Sequence, residues 1–234
     1  MADPEHPSDD RNLRDRLARL RRRQKRQERR AWARGFMSGI CGLLRPGDLA
    51  IDCGANKGDV SAALLATGAE VIAFDPEPWA AAHLKARFAD HPRFRLIEAA
   101  VGVEAGTVRL MRAGNITDNE AHASIKSTVV PGGRMIDAAM TNAVDVSQID
   151  LIAFLQQLLT QPERTEIAFL KMDIEGAELD LLRAMDAAGL FASIRCTVVE
   201  THERKFRHLR PKFAQLRRDF STKYPDSKVN LDWI

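Results

Sequence analysis

Short apolar runs rich in β-branched residues alternate with amphipathic segments from residue 48 onward. Such alternation is typical of a parallel sheet covered by helices on both faces. Five runs predict strands: DLAIDC, AEVIAFD, FRLIEAAVG, EIAFLKMD and IRCTVVE. Helices are predicted between them, and Pro78 is suited to the first position of one of these helices. The pattern therefore predicts an α/β domain built on a mostly parallel, doubly wound sheet.

An insertion interrupts this alternation between the third and fourth predicted core strands. Residues 106–146 contain a predicted hairpin strand, GTVRLMR, then a polar loop, a PGG turn and a short strand, AVDV. Long loops in compact domains are often binding loops or lids. We therefore expect contacts to an acceptor molecule from this loop and hairpin, for example from Ser124 and Lys126.

The N-terminal segment has a different pattern. Residues 11–34 contain 12 Lys or Arg against two acids, and Leu13, Leu17 and Leu20 recur at helical spacing. The sequence thus predicts two parts: residues 1–34, an acidic tail plus a basic helix, and a domain over residues 35–234. The helix is open to three interpretations: a solvated lead-in, a homo-oligomer contact, or a weak peripheral contact with an anionic membrane.

Composition adds little that is specific. Hydrophobic residues make up 45% and charged residues 29% of the chain, which is ordinary for a globular protein. Three widely spaced cysteines fit neither a disulfide framework nor a zinc site, and the start lacks a secretory pattern. We expect a cytoplasmic protein with reduced thiols. The C-terminal KVNLDWI is a candidate edge strand, and a second candidate contact for a homo-oligomer.

The first predicted strand runs into an Asp-x-Gly-x-Asn-x-Gly loop formed by Asp52, Gly54, Asn56 and Gly58. Glycines allow a backbone to turn sharply or to lie against a ligand. Asp75 ends the next strand, where a carboxylate accepts hydrogen bonds from ribose hydroxyls. A dinucleotide site requires Gly-x-Gly-x-x-Gly, and Asp52 would repel a diphosphate but suit an ammonium and a sulfonium group. The loop therefore indicates S-adenosylmethionine.

Further polar residues follow the other predicted strands, at the ends where doubly wound sheets bind ligands. These residues are Glu98, Asp173, Glu175, Glu200 and His202. In-line methyl transfer from a cationic sulfur needs an aligned acceptor, and a base assists when the nucleophile is a hydroxyl. Asp173, Glu175 and His202 are the candidate bases. His202 has the ordinary pKa best placed for proton removal near neutral pH.

The partners of these candidate bases stay open. Asp173 or Glu200 can orient His202, or several of the groups can hold a divalent cation, although the spacing indicates no particular metal site. Glu178, three residues after Glu175, is predicted to interact with Arg183 or with the helix dipole.

Six stretches carry a family resemblance across residues 48–205: AIDCGANKGDVS, VIAFDPEPWA, EAAVG, VDVSQID, FLKMDIEGAELDLLRA and VVETH. In order and spacing they resemble the FkbM-type methyltransferases, a branch of the Rossmann-like enzymes that use S-adenosylmethionine. KMDIEGAE is the most specific of the motifs. The resemblance implies a class I methyltransferase fold and methyl transfer, usually to a hydroxyl of a saccharide, glycan or related small molecule, with S-adenosylhomocysteine as product.

The resemblance also implies residue roles. Cofactor contacts fall on Asp52, Gly54, Asn56 and Gly58 around the methionine portion, on Asp75 at the ribose, and on Glu98 and Ala99 near the adenine. Asp173 and Glu175 would face the methyl group and the acceptor.

Two other functions remain open. One is non-catalytic binding of S-adenosylmethionine or a nucleotide by a Rossmann-like protein. The other is nucleic-acid methylation, prompted by the basic segment. The domain after residue 34 is slightly acidic and lacks an Asn-Pro-Pro-Tyr motif for an extruded base, so nucleic acid is the less favoured partner.

Overall fold

A computed structural model of the protein describes residues 7–114, 116, 120–134, 136, 139–162 and 164–233. The chain divides into two units, one containing the helix α1 (Pro7–Leu43) and the other spanning residues 44–233. The basic helix predicted from the sequence is thus present, and it continues beyond residue 34. Its Leu13, Leu17 and Leu20 are about half exposed. Over the described residues, the helices lack the combination of length and apolar character needed to cross a membrane.

The second unit contains, in its described residues, nine strands and six α-helices. The strands are β1 (Leu49–Cys53), β2 (Glu70–Phe74), β3 (Phe94–Ile97), β4 (Ala100–Gly102), β5 (Gly106–Leu110), β6 (Val144–Asp150), β7 (Ile167–Met172), β8 (Ile194–Val199) and β9 (Val229–Asn230). The helices are α2 (Asp59–Ala66), α3 (Pro78–Arg87), α4 (Glu120–Ala123), α5 (Leu151–Leu159), α6 (Glu178–Ala187) and α7 (Arg210–Lys223). Single 3-10 turns lie at Ser124–Lys126, Leu190–Ser193 and Arg207–Leu209.

Six of these strands form one parallel sheet in the order β3-β2-β1-β7-β8-β9. The order reverses between β1 and β7, which makes their carboxyl ends the switch point where doubly wound sheets bind ligands. All residues of β1 and β7 are buried, as expected for central strands covered on both faces. The predicted α/β fold with a doubly wound sheet is confirmed.

The segment before the insertion differs from its prediction. FRLIEAAVG was predicted as a single strand, but the chain leaves the main sheet after Ile97, and β4 starts a second sheet at Ala100. That sheet has the order β4-β6-β5, with β5 antiparallel to β6. Apolar patterning cannot reveal such a break, because both halves are apolar and extended. The result is that residues 98–99 cross from one sheet to the other beside the strand ends.

Local signals explain where α3 begins. Pro78 occupies its first turn, and the Glu77 carboxylate accepts hydrogen bonds from Trp79 N at 2.9 Å and Ala80 N at 3.2 Å. Such a cap satisfies amide groups that have no partner within the helix. Glu77 is thereby fixed immediately after the end of β2.

The last strand is shorter than the sequence predicted. KVNLDWI contributes only the two-residue β9, which pairs in parallel with β8. Phe213, Leu216 and Phe220 of α7 are buried in the main hydrophobic core.

Candidate active site

The turn after β1 brings the ends of the two central strands together. Gly54 has φ +81°, and a Cβ built on it would lie 1.8 Å from the Asp173 carbonyl oxygen. Asp173 N donates a hydrogen bond to Cys53 O at 3.0 Å. Only glycine fits both the left-handed backbone and this close approach. The Gly54 turn therefore fixes the distance between the loop after β1 and the loop after β7.

Asp75 is held by backbone amides at the end of β2. Its Oδ2 accepts from Asn56 N at 2.8 Å and its Oδ1 accepts from Glu77 N at 2.9 Å. Burial raises the pKa of Asp75 to about 6, against the lowering effect of the two hydrogen bonds. Each oxygen retains a lone pair, so this carboxylate can accept two further hydrogen bonds from a diol.

Asp52 lies beneath the loop. Its Oδ2 accepts from Ser61 Oγ at 2.7 Å, and its Oδ1 lies 3.3 Å from Lys171 Nζ. Lys171 Nζ also donates to Gly54 O at 2.6 Å. Burial alone would lower the pKa of Lys171, but Asp52 and Asp173 raise it, so the lysine stays charged. Asp52 and Lys171 thus form a buried ion pair that supports the Gly54 turn.

The loop after β7 carries a second group of acids, and His202 after β8 joins them. His202 Nδ1 lies 2.9 Å from Glu178 Oε1, and its Nε2 lies 3.4 Å from Glu175 Oε2 and 3.7 Å from Asp173 Oδ1. Glu178 is fully buried, and its Oε1 also accepts from the amides of Ile174 and Gly176 at 3.1 Å each. Glu178 thus stands in the first turn of α6, where the helix dipole favours a carboxylate as predicted, and its hydrogen-bonding side-chain partner is His202, not the alternative Arg183.

These carboxylates change the acid–base character of the histidine. Burial alone would lower the pKa of His202, but Glu178, Glu175 and Asp173 raise it to about 10. The expectation that His202 has the pKa best placed for a neutral-pH base is therefore wrong. A different acid has that property: burial and the charge of Asp173 raise the pKa of Glu200 to about 7.

Glu175 connects the acid group to the insertion. Its Oε2 accepts from Lys205 Nζ at 2.8 Å, and the same ammonium donates to Lys126 O at 2.7 Å. Its backbone oxygen accepts from Thr128 Oγ1 at 2.7 Å. Burial raises the pKa of Glu175, against the opposing charges of His202 and Lys205. The insertion is thus bonded directly to the loop after β7.

Phe206 packs at the junction of three segments. A Cβ built on Gly176, at φ +117°, would lie 2.2 Å from Phe206 Cε2, and one built on Gly133 would lie 3.0 Å from its Cε1. The ring itself is fully buried. It therefore joins the loop after β7, the insertion and the loop after β8.

One cavity of about 300 Å³ opens between these groups. It is lined by Gly54, Asn56, Phe74, Asp75, Pro76, Glu77, Ala99, Ala100, Val101, Leu110, Ser124, Ile125, Ser127, Thr128, Val129, Asp173, Ile174, Glu175, Ala177 and Glu200. The lining thus carries five carboxyl groups, and in the described part of the chain it contains no lysine, arginine or histidine. The cavity extends from Asp75 to Asp173 and Glu175, with residues of the insertion along one side.

The predicted site residues divide into two groups with respect to this cavity. Six line it: Gly54, Asn56, Asp75, Ala99, Asp173 and Glu175. Among the described residues, four of the predicted set stand outside the lining: Asp52, Gly58, Glu98 and His202. Gly58, at φ +75°, precedes α2 and packs under the Phe88 ring. The Glu98 carboxylate is half exposed and pairs with Lys85 at 2.7 Å.

One charged lining residue, Glu77, had no assigned role in the sequence interpretation; it binds the Arg112 guanidinium of the insertion. Of the two insertion residues expected to contact an acceptor, Ser124 lines the cavity and its Oγ accepts from Asn56 Nδ2 at 3.3 Å, whereas Lys126 is not in the lining. The charge of Glu77 next to Pro78 was a visible signal for a capped helix start. Its pairing with Arg112 joins positions far apart in the chain, which patterning does not reveal.

Comparison with known proteins gives a partial structural likeness and a family match. A solved structure described as "Crystal structure of 23S rRNA methyltransferase ErmE" shares 22% identity with a TM-score of 0.25, over 28% of this chain and 28% of that one. Because this likeness covers little of either chain, it supports no conclusion about substrate. No curated protein matches the chain. Residues 52–222, more than half of the chain, match the methyltransferase FkbM domain. The chain therefore belongs to the FkbM methyltransferase family, which implies S-adenosylmethionine as the methyl donor.

Proposed function

We propose that the protein is an O-methyltransferase that uses S-adenosylmethionine to methylate a hydroxyl of a saccharide or a related small molecule. The observation that supports this most directly is that Asp75 lines the same cavity as Asp173, Glu175 and Glu200, with Asp75 at one end and the other three at the opposite end. One end offers acceptors for a diol, and the other offers carboxylates to a hydroxyl group.

The cavity residues fit the cofactor chemically. Asp75 has two free lone pairs for the ribose hydroxyls, and Gly54 and Asn56 of the loop after β1 lie in the lining beside it. The carboxylates of the lining favour a ligand that carries a sulfonium and an ammonium group. When bound, S-adenosylmethionine supplies an electrophilic methyl group. The residues of this chain then need to orient an acceptor and take its proton.

Glu200 is the proposed general base. It lines the cavity and follows β8, next to the strand that carries Asp173. A carboxylate that titrates near neutral pH combines a substantial ionised fraction with useful basicity. Asp173 and Glu175 would accept hydrogen bonds from the acceptor and so orient it. His202 and Lys205 would hold these two carboxylates in place.

The charge of the lining favours the acceptor class. Neutral polyhydroxylated molecules can donate hydrogen bonds to several carboxylates. The described lining offers a phosphate-bearing acceptor or a nucleic-acid strand no cationic side chain, because the cations that pair with its carboxylates stand outside the lining: Lys171, Lys205, His202 and Arg112. Saccharides and related polyols are therefore the preferred candidates.

Calorimetric titration with S-adenosylhomocysteine tests the cofactor part, with NAD as a control ligand. We expect binding of the adenosyl compound alone, followed by transfer of labelled methyl groups from S-adenosylmethionine to members of a glycan and polyol panel. Asp173→Asn should keep cofactor binding and lower turnover by about 10²-fold or more. Binding without transfer to any panel member would favour a non-catalytic binding protein, and binding of neither ligand would contradict the proposal.

A further inference from the structure

The group formed by Asp173, Glu175 and His202 has the dimensions of a metal site. One ligand atom from each residue lies within 4.8 Å of the others. His202 Nε2 is 3.4 Å from Glu175 Oε2 and 3.7 Å from Asp173 Oδ1. Ligand atoms about 2.1 Å from a shared cation lie about 3.0 Å apart in adjacent octahedral positions and about 3.4 Å apart in a tetrahedron. Because all three separations are 4.8 Å or less, each has to shorten by less than about 2 Å to reach these values.

The histidine is oriented as metal-binding histidines are. Its Nδ1 lies 2.9 Å from the Oε1 of the buried Glu178, which two backbone amides hold in place. A carboxylate behind a histidine fixes the ring and makes the opposite nitrogen a better ligand. In His202 that opposite nitrogen is Nε2, the atom nearest Asp173 and Glu175.

Asp173 is the least satisfied member of the group. Its Oδ2 faces Lys171 Nζ at 3.5 Å and its Oδ1 faces His202, but within the described residues no hydrogen bond reaches this carboxylate. Asp173 and Glu175 both line the cavity. A cation bound between them would therefore stand at the cavity wall, where an acceptor can reach it.

We propose that Asp173, Glu175 and His202 bind a divalent cation, with Mn²⁺ or Zn²⁺ as the type that two carboxylates and an imidazole suit. Binding displaces the proton from His202 Nε2 to solvent and weakens the ion pair between Glu175 and Lys205. The binding of the cation does not depend on the proposed function, whereas the use of the cation in catalysis rests on that function.

In catalysis the cation would coordinate the acceptor hydroxyl and lower its pKa. The hydroxyl proton passes to Glu200, the oxygen forms the new bond to the methyl carbon, and the sulfur keeps the electron pair of the broken bond. The products are the methyl ether and S-adenosylhomocysteine.

Electron paramagnetic resonance of the full chain with Mn²⁺ alone tests the site, since bound Mn²⁺ loses the sharp spectrum of the free ion. We expect one Mn²⁺ per chain. Asp173→Asn and His202→Gln should each weaken binding at least about tenfold, and Glu178→Gln, which removes the group behind the ligand, by about 10- to 100-fold. Glu203→Gln is the matched control, because Glu203 pairs with Arg217 instead, and its affinity should stay within about twofold of wild type.

Pulsed electron paramagnetic resonance of the wild-type protein gives a test that does not depend on whether variants fold. The echo signal of bound Mn²⁺ should be modulated by a coordinating ¹⁴N nucleus, and in the proposed ligand set only His202 supplies one. Binding without this modulation, or equal affinity in wild type and in Asp173→Asn, would overturn the proposal. The cofactor titration, run with a chelator, reports separately on the proposed function.

Discussion

The two ends of the cavity hold their carboxylates by different means. At one end, both oxygens of Asp75 are bonded to backbone amides, so the position of the group follows from the path of the chain. At the other end, Asp173 and Glu175 are surrounded by side chains: Lys171, His202 and Lys205. Backbone partners do not titrate or change rotamer. Side-chain partners do both.

This difference separates a fixed end from an adjustable one. A carboxylate fixed by the backbone suits a ligand that is always bound in the same way. Carboxylates held by side chains form a site that single substitutions can change. The proposed roles of the two ends agree with this distinction, and the following predictions test it in order of decreasing effect.

Gly54 joins the two ends, so its substitution should have the largest effect. Gly54→Ala places a methyl group 1.8 Å from the Asp173 carbonyl oxygen in a left-handed backbone. We expect unfolding free energy to fall by about 4 kcal/mol. Chemical denaturation measures it, with Gly106→Ala as control, because nothing lies within 4 Å of a Cβ there. If Gly106→Ala lowers the unfolding free energy as much as Gly54→Ala does, the close contact with Asp173 is not the cause of the loss.

The fixed end should govern cofactor affinity. Asp75→Asn replaces one acceptor oxygen by an amide group facing a backbone N–H, so we expect S-adenosylhomocysteine to bind about 10- to 100-fold more weakly. Calorimetric titration measures this affinity. Asp59→Asn alters an exposed acid that pairs with Arg87 and should leave affinity unchanged. Wild-type affinity in Asp75→Asn would show that the ribose is held elsewhere.

The adjustable end should respond to pH. The pKa of His202 is raised from an ordinary 6.5 to about 10, so the folded state retains a proton that the unfolded state releases. This stabilisation is complete below pH 6.5 and is lost as pH rises toward 10. In protein kept metal-free with a chelator, His202→Gln should therefore reduce the loss of unfolding free energy between pH 6.5 and 10. Glu178→Gln, which removes the main partner that raises the pKa, should shift the fall to lower pH. Parallel stability curves for wild type and His202→Gln would contradict the assignment.

The link from the insertion to the adjustable end should have the smallest effect. Thr128→Val removes two hydrogen bonds, the one from Oγ1 to the Glu175 carbonyl oxygen and the one from Val130 N to Oγ1, with an expected cost of about 1 to 2 kcal/mol. Thr107→Val, at an exposed position of β5, is a control of the same shape with an expected change within about 0.5 kcal/mol. Equal stability of the two variants would mean that these bonds contribute nothing to folding.

Local patterns predicted the fixed end and missed much of the adjustable one. The β1 loop, Asp75 and the start of α3 at Pro78 follow from neighbours in the chain. The partnership of Glu178 with His202 joins residues 24 positions apart across β8, and the pKa of His202 depends on that partnership. Since β7 and β8 are adjacent parallel strands, the pairing of the residues that follow them was the available signal.

The Phe206 ring has a consequence for how this protein can be altered. Because the same ring packs against Gly176 and Gly133, the insertion and the loop that carries the acids are coupled through it. A transplanted insertion would need a glycine at the position of Gly133 to accommodate the ring. Exchange of the insertion should therefore require matched changes in the loops after β7 and β8.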